Sequence, residues 1–150
     1  MSFCLTNSSS CMKACHLPIF RNLRQLELVL HYCCSWWPEL LKTSPNLESL
    51  VLDHSRHPSW RMDSCEFTWL QWNSPESVPS CVLSQLKTIC TRNFRGGQDE
   101  MKVAKYMLEK GQVLKSLTLY TAHLVCTKEK LCMQLLMFYR GSKTCHVELK

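Results

Sequence analysis

A leucine pattern that returns along the chain constrains its fold more than any other feature of the sequence. Three clean copies and one weaker copy share the spacing Leu-x-x-Leu-x-Leu. They are Leu23/Leu26/Leu28, Leu47/Leu50/Leu52, the weaker Leu86/Ile89, and Leu114/Leu117/Leu119. Alternate apolar residues favour a short strand with one buried face, and the return of the pattern predicts that one structural unit is used repeatedly.

The offset between the first two copies is 47 minus 23, or 24 residues. This falls within the period of roughly 20 to 29 residues that is typical of leucine-rich repeats. The next offsets are longer, and we interpret residues 54 to 79 as an irregular insertion, rich in Pro and Trp, with one short strand over 66–71. Residues 1–75 are therefore predicted to be degenerate repeats with an insertion.

Helices are predicted between the later strands. Asp99 is expected to cap a helix from Asp99 to Lys110 that Gly111 ends, with the turn at Gly96 and Gly97 serving that cap. Strand and helix then alternate. This order predicts an α/β fold of parallel strands with helices on one face, arranged as a solenoid rather than doubly wound.

A second helix is expected to begin after Thr127 and to end near Gly141, with Arg140 in its last turn. Its buried face would carry Leu131, Leu135 and Phe138. A strand at 145–149 follows, so the end of the chain reads strand-helix-strand-helix-strand and is expected to close the repeats as a cap.

The eleven cysteines are expected to be reduced thiols, because their number is odd, their spacing is irregular and no export signal accompanies them. Cys90, Cys126, Cys132 and Cys145 lie inside apolar patterns and are predicted to be core residues. No apolar run approaches the length of a membrane span. We therefore expect a cytoplasmic or nuclear protein without a membrane segment.

The sequence does not favour a catalytic or a metal-binding site. Cys15-His16 and Cys145-His146 are sequence neighbours, and adjacent side chains on a strand point to opposite faces, which does not suit a cysteine nucleophile and its base. The residues considered for zinc were Cys11, Cys15, His16, His31, Cys33 and Cys34. Only the first two have a spacing near that of structural zinc sites. The expectation is a protein that is not an enzyme, with no catalytic residue, metal or cofactor.

Aromatic residues and arginine dominate protein-binding hot spots, which makes Trp60, Arg61 and Trp69 in the insertion candidate partner-binding residues. Structural packing is the favoured interpretation of the tryptophans. The net charge of +6 arises wholly after residue 75, because residues 76–150 contain twelve basic and six acidic residues. An alternative function is therefore nucleic-acid binding through Lys102, Lys105 and Lys128. A solvated helix face accounts for scattered lysines more simply.

Two stretches, Phe20-Arg-Asn-Leu-Arg-Gln-Leu-Glu-Leu28 and Leu40-Leu-Lys-Thr-Ser-Pro-Asn-Leu-Glu-Ser-Leu-Val-Leu52, resemble the leucine-rich repeats of plant F-box proteins. The following segment resembles the FBD domain that ends many of those proteins. It comprises residues 72–87, Phe94-Arg-Gly96, Glu100, residues 104–109 and residues 113–115. The resemblance covers roughly residues 17 to 150 and assigns 76–150 to an FBD-like domain.

The resemblance implies a noncatalytic protein-interaction module, related to substrate recognition by cullin-type ubiquitin ligases. No F-box precedes the repeats in this sequence, so a Skp-type adaptor is not an expected partner. A different protein partner is expected, and a degenerate family copy without a partner stays open as a further alternative.

Overall fold

The computed structural model describes residues 17–30, 37–54 and 72–150, together with the backbone of residues 2–4. Its strands form one six-stranded sheet in which every neighbouring pair is parallel and the spatial order follows the chain. The strands are β1 (Ser2–Cys4), β2 (Gln25–Val29), β3 (Ser49–Asp53), β4 (Thr88–Phe94), β5 (Ser116–Thr121) and β6 (His146–Leu149). The predicted α/β class with parallel strands is confirmed.

Two rows of side chains point from the sheet into the core, and their register explains the leucine pattern. One row comprises Leu26, Leu50, Ile89, Leu117 and Val147, and the other Leu28, Leu52, Thr91, Leu119 and Leu149. All are buried except the two from β6, which are half-buried. A fully buried leucine side chain contributes about 1.5–3 kcal/mol, so these rows dominate the stability of the sheet.

The helices are α1 (Trp37–Lys42), α2 (Ser80–Ser84), α3 (Gln98–Lys110) and α4 (Lys128–Leu136). Their apolar side chains join the strand rows in one core cluster, to which α3 contributes Ala104 and Met107, and α4 contributes Leu131 and Leu135. The opposite side of each strand from β2 to β6 is half-buried or exposed. The sheet therefore has one face against the core and one open face.

Helix α3 confirms its predicted end and corrects its predicted beginning. Gly111 is the C-cap, and its N–H donates to the Met107 carbonyl. At the other end Gly97, not Asp99, is the N-cap, because the Glu100 carboxylate accepts from the Gly97 N–H at 2.9 Å. Asp99 lies inside the first turn, where it pairs with Lys102.

Helix α4 begins as predicted but ends earlier. Thr127 caps it by accepting from the Lys130 N–H at 3.3 Å. The helix ends at Leu136, so the prediction that it continues to near Gly141 with Arg140 in its last turn was wrong. Arg140 instead donates to the Cys145 carbonyl, which fixes the turn that leads into β6. Phe138 still packs against the core from outside the helix.

The cysteine predictions were right in part. Cys126 and Cys145 are half-buried against the core. Cys90 points to the open face, because it occupies the strand position between the buried Ile89 and Thr91, and Cys132 is exposed on α4. Among the described cysteines the buried one is Cys81 on α2, whose thiol donates to the Leu41 carbonyl. The strand predicted over 66–71 lies outside the described residues.

Candidate protein-interaction surface

The open face of the sheet is left uncovered by the described helices. It consists of Gln25, Glu27, Val29, Ser49, Val51, Asp53, Thr88, Cys90, Arg92, Ser116, Thr118, Tyr120, His146 and Glu148. None of these residues is buried. They alternate with the core leucines, so the rigid inner rows also hold the backbone positions of the open face.

Charged groups on this face are linked across the strands. Arg92 on β4 reaches over β3 to Glu27 on β2, with 2.7 Å between Nη1 and Oε1. Beside this pair, the Asn93 amide donates to Asp53 Oδ1 at 2.8 Å. The side chains of Arg92 and Glu27 are 48% and 34% exposed, so the ion pair adds little stability. It does hold the two charged groups in defined positions on the open face.

Tyr120 provides an aromatic group at the carboxyl end of β5. Its side chain is 43% exposed, and Lys150 Nζ lies 5.5 Å from its ring centroid. A tyrosine with one exposed ring surface and a hydroxyl group is a common anchor in protein interfaces. The aromatic ring and the linked charges together give the open face both signs of charge and an apolar contact.

The thiols at this face are not activated. Burial raises the pKa of the Cys90 thiol, so the thiol form prevails at neutral pH. Burial also raises the pKa of Cys145, whose side chain packs toward the core while that of its neighbour His146 is exposed on the open face. The sequence argument that Cys145 and His146 point apart is therefore confirmed.

The carboxyl edge, which we define as the last residues of β3, β4 and β5 and the residues directly after them, has an unusual backbone. Asn93 and His123 have positive φ angles of 57° and 49°, and the β4–β5 register shifts between Thr91 and Phe94. Asn tolerates the left-handed region better than most residues, and here its side chain is also held by Asp53. The irregularity turns the chain sharply into α3.

Glu100 joins three parts of this edge. Its carboxylate accepts from the Gly97 N–H and from the Arg95 N–H, the latter at 3.0 Å, and it lies 3.9 Å from His54 Nδ1. Desolvation lowers the pKa of His54, although the Glu100 and Asp53 charges act in the opposite direction. Because desolvation prevails, His54 is neutral at pH 7 and the contact with Glu100 is not an ion pair between full charges.

A small cavity lies beneath the same edge. Its volume is about 10 Å³, and its lining includes Leu52, His54, Glu100 and Met107. This volume holds no more than about one water molecule, so the cavity itself is not a ligand pocket. Any recognition in this region has to use the outer surface.

An aromatic cluster supports the helix layer and was not anticipated from the sequence. The Trp72 ring lies 5.2 Å from that of Trp37 and 5.4 Å from that of Tyr106. Its backbone N–H also donates to Asp99 Oδ1 at 3.4 Å. Trp72 thus attaches the chain to α1 and α3.

The candidate partner-binding and zinc residues that the sequence indicates are not among the residues that the structure describes. Trp60, Arg61 and Trp69, and all six residues considered for zinc, lie outside the described residues. Within the described ranges no group of three or more His, Cys, Asp or Glu residues is placed to hold a metal ion. No helix among those same residues is long and apolar enough to cross a membrane.

Two of the three lysines considered for nucleic acid have acidic neighbours. Lys102 lies 3.6 Å from Asp99, and Lys105 lies 3.8 Å from Glu109. These are pairs along one helix, with the lysine side chains more than half exposed. The arrangement agrees with a solvated helix face of mixed charge rather than a basic patch.

The sequence is similar to those of known proteins. Residues 73–119 match the family model described as FBD. The chain is 33% identical over 139 residues to an FBD-associated F-box protein of Arabidopsis thaliana, which covers 87% of this chain and 27% of the relative. It is 34% identical over 140 residues to a putative F-box/FBD/LRR-repeat protein of the same plant, covering 86% of this chain and 30% of the relative.

A further F-box/FBD/LRR-repeat protein of Arabidopsis thaliana is 36% identical over 107 residues, covering 69% of this chain and 23% of the relative. The chain thus spans less than a third of the length of these three relatives. No solved structure matches. The FBD match begins just after the described chain resumes at Trp72 and ends at Leu119 within β5, so it contains α2, β4 and α3. These similarities identify residues 73–119 as an FBD region and show that the chain is related, over most of its length, to plant F-box/FBD/LRR-repeat proteins.

Proposed function

We propose that this chain is a noncatalytic protein-interaction module that binds a protein partner on the open face and the carboxyl edge of its sheet. The observation that carries the proposal is the open face itself, whose residues alternate with buried leucines and are therefore presented by a rigid layer. Tyr120 and the linked pair Glu27–Arg92 are the expected contact residues.

The charges of this face favour a protein over a nucleic acid. Glu27, Asp53 and Glu148 are acidic, whereas Arg92 and the adjoining Lys150 are basic. A phosphate backbone would meet three carboxylates, while a protein surface can present complementary groups of both signs. The expected partner therefore has a mixed-charge surface and an apolar group that contacts Tyr120.

The architecture is proposed to be a leucine-rich-repeat-like solenoid closed by an FBD-type end. The strand order from β1 to β6 and the parallel register support this interpretation, because stacked repeats place each strand beside the one before it. The division into repeats over 1–75 and an FBD-like domain over 76–150 is part of the same proposal. In that arrangement the core leucines are structural and the open face is available for recognition.

The names of the relatives suggest a cellular context. They are F-box proteins, and the resemblance noted above connects such proteins with substrate recognition in cullin-type ubiquitin ligases. We propose that this chain supplies a recognition surface in that context, in the cytoplasm or nucleus. The candidate residues Trp60, Arg61 and Trp69 belong to the segment between His54 and Trp72 in the sequence and remain proposed contact residues.

The test compares matched tyrosine variants in a quantitative pull-down from nuclease-treated plant extract. Tyr120→Ala alters the open face, whereas Tyr139→Ala removes an equally large side chain, 73% exposed, from outside it. A hot-spot residue costs at least about 2 kcal/mol, or roughly 30-fold in affinity. A bound protein that Tyr120→Ala reduces by about this factor and Tyr139→Ala leaves unchanged supports the proposal. If the recovery of every bound protein is unchanged by both Tyr120→Ala and Arg92→Ala, the proposal is contradicted.

A further inference from the structure

The residues directly before strands β2 to β5 form a charged row at the amino edge of the sheet. They are Arg24, Glu48, Lys87 and Lys115. The Glu48 N–H donates to the Arg24 carbonyl and the Lys87 N–H to the Glu48 carbonyl, both at 2.8 Å. The Lys115 N–H donates to the Lys87 carbonyl at 2.7 Å. This row, which we call the amino-edge row, therefore continues the register of the sheet, with neighbouring members about 4.8 Å apart.

One carboxylate serves two of the three cations in the amino-edge row. Glu48 Oε1 lies 3.1 Å from Arg24 Nη1, and Glu48 Oε2 lies 3.2 Å from Lys87 Nζ. The hydrogen bond and the charge of Lys87, and then those of Arg24, lower the pKa of Glu48, so this carboxyl group is ionised at neutral pH. Both of its oxygens are engaged, and the row retains an excess of positive charge.

Lys115 has no counter-ion in the part of the chain that the structure describes. Its side chain is exposed, and no described carboxylate forms an ion pair with it or with Arg140. Cys145 occupies the next position, directly before β6, and its carbonyl accepts from Arg140 Nη1 at 3.0 Å. The cations Lys87, Lys115 and Arg140 thus belong to three successive strand positions that span about 10 Å.

Hydroxyl groups lie at the next position along the strands, on the open face. Thr88 directly follows Lys87 and is exposed, and Ser116 directly follows Lys115 and is half-buried. The two residues are partners in the register of β4 and β5. A hydroxyl group can donate a hydrogen bond to a carboxylate, and an ammonium group donates hydrogen bonds and supplies charge. This short stretch of the edge therefore combines two kinds of donor for acidic groups.

We propose that the amino edge binds an acidic, extended segment of a partner protein whose carboxylates contact Lys87, Lys115 and Arg140. Side chains on one face of an extended chain repeat every roughly 6.8 Å, so two or three acidic residues at alternate positions span about 7–13 Å. This length matches the stretch that the three cations occupy. The surface lies at the opposite end of the strands from Tyr120 and the carboxyl edge, so it goes beyond the function proposed above.

The number of cations favours a peptide over a nucleic acid. A protein whose DNA binding depends strongly on charge makes roughly 6–10 phosphate contacts. The amino edge offers three successive cations, and the Glu48 carboxylate beside them would repel a phosphate backbone. A short acidic segment can place its carboxylates at the cations and leave uncharged residues near Glu48. Its affinity should fall as the salt concentration rises, because exposed charges are screened.

The test is fluorescence anisotropy with a labelled peptide of about ten residues that carries glutamates at alternate positions, titrated with the full chain. Lys115→Gln removes the cation without a counter-ion and should weaken binding about fivefold. Glu48→Gln releases Arg24 and Lys87 from their carboxylate and should strengthen binding about threefold. Lys130→Gln, at an exposed position on α4, removes the same charge as Lys115→Gln and should change the affinity less than about twofold.

Further controls separate this surface from the open face and from simple charge attraction. Tyr120→Ala should leave the peptide affinity unchanged, so the result is independent of the function proposed above. The altered side chains are exposed or half-buried, and circular dichroism should show unaltered folding. Equal weakening by Lys115→Gln and Lys130→Gln, weaker binding by Glu48→Gln, or tighter binding of an oligothymidine of equal charge would each overturn the proposal. Absence of binding up to roughly 0.5 mM chain would overturn it as well.

Discussion

Replacing Glu100 by alanine tests whether this one carboxylate holds the carboxyl edge together. The side chain is only 11% exposed and accepts from two backbone N–H groups, at Gly97 and Arg95. Alanine removes both acceptors. It also removes a negative charge from the amino end of α3, where the helix dipole favours one.

The expected cost follows from these three losses. A partly buried N–H that loses its acceptor costs about 1 kcal/mol, and the charge near the helix end contributes about 0.5 kcal/mol. The free energy of unfolding should therefore fall by about 2–3 kcal/mol, measured by urea denaturation at neutral pH. Glu100→Gln keeps an acceptor oxygen and should lose about half as much.

Glu109→Ala is the matched control on the same helix. Glu109 makes an ion pair with Lys105 at 3.8 Å in the last turns of α3, and such a pair along a helix contributes about 0.2–0.5 kcal/mol. If Glu100→Ala costs no more than Glu109→Ala, then Glu100 does not anchor the edge and the reasoning is refuted. If it costs much more, partner binding near Asn93 should weaken as well.

Other expectations follow from burial and titration. Leu50→Ala should reduce the free energy of unfolding by about 2–5 kcal/mol, whereas Val51→Ala on the open face should cost less than about 1 kcal/mol; equal losses in urea titrations would contradict the assignment of the two faces. The lowered pKa of His54 means that the unfolded chain takes up its proton first, so stability should fall as the pH drops below about 6.5, and a His54→Asn variant should show a weaker pH dependence of unfolding. Burial raises the pKa of Cys81 to about 11, so in the native protein Cys132 should react with a thiol reagent well before Cys81, and mass spectrometry of labelled peptides showing the reverse order would be inconsistent with the fold.

The sheet could be predicted from the sequence because its signal is local. Strands β2, β3 and β5 each carry leucines two residues apart, and the positions of β2 to β5 follow from Leu26, Leu50, Ile89 and Leu117 without knowledge of their pairing. Helix α3 was equally visible from its apolar spacing and Gly111. These features depend on side chains within a few positions of one another, which is the range over which periodicity is informative.

The exact helix ends were harder to predict because capping depends on which of several acceptors reaches the free N–H groups. Asp99 and Glu100 are adjacent and equally acidic, yet Glu100 has the length to turn back to Gly97, whereas Asp99 accepts from Trp72. Similarly, α4 ends before Arg140, and the Arg140 side chain donates to the Cys145 carbonyl instead. Each outcome is decided by a competition between local and distant hydrogen bonds.

The candidate surface could not be predicted at all from local patterns, for a reason built into the fold. Glu27 and Arg92 are 65 residues apart in sequence, and only the register of three parallel strands brings them together. The leucine rows determine that register, but any polar residue satisfies the positions between the leucines. The pattern that specifies the scaffold therefore leaves the open face free to vary, which is the property that a recognition surface on a repeated scaffold requires.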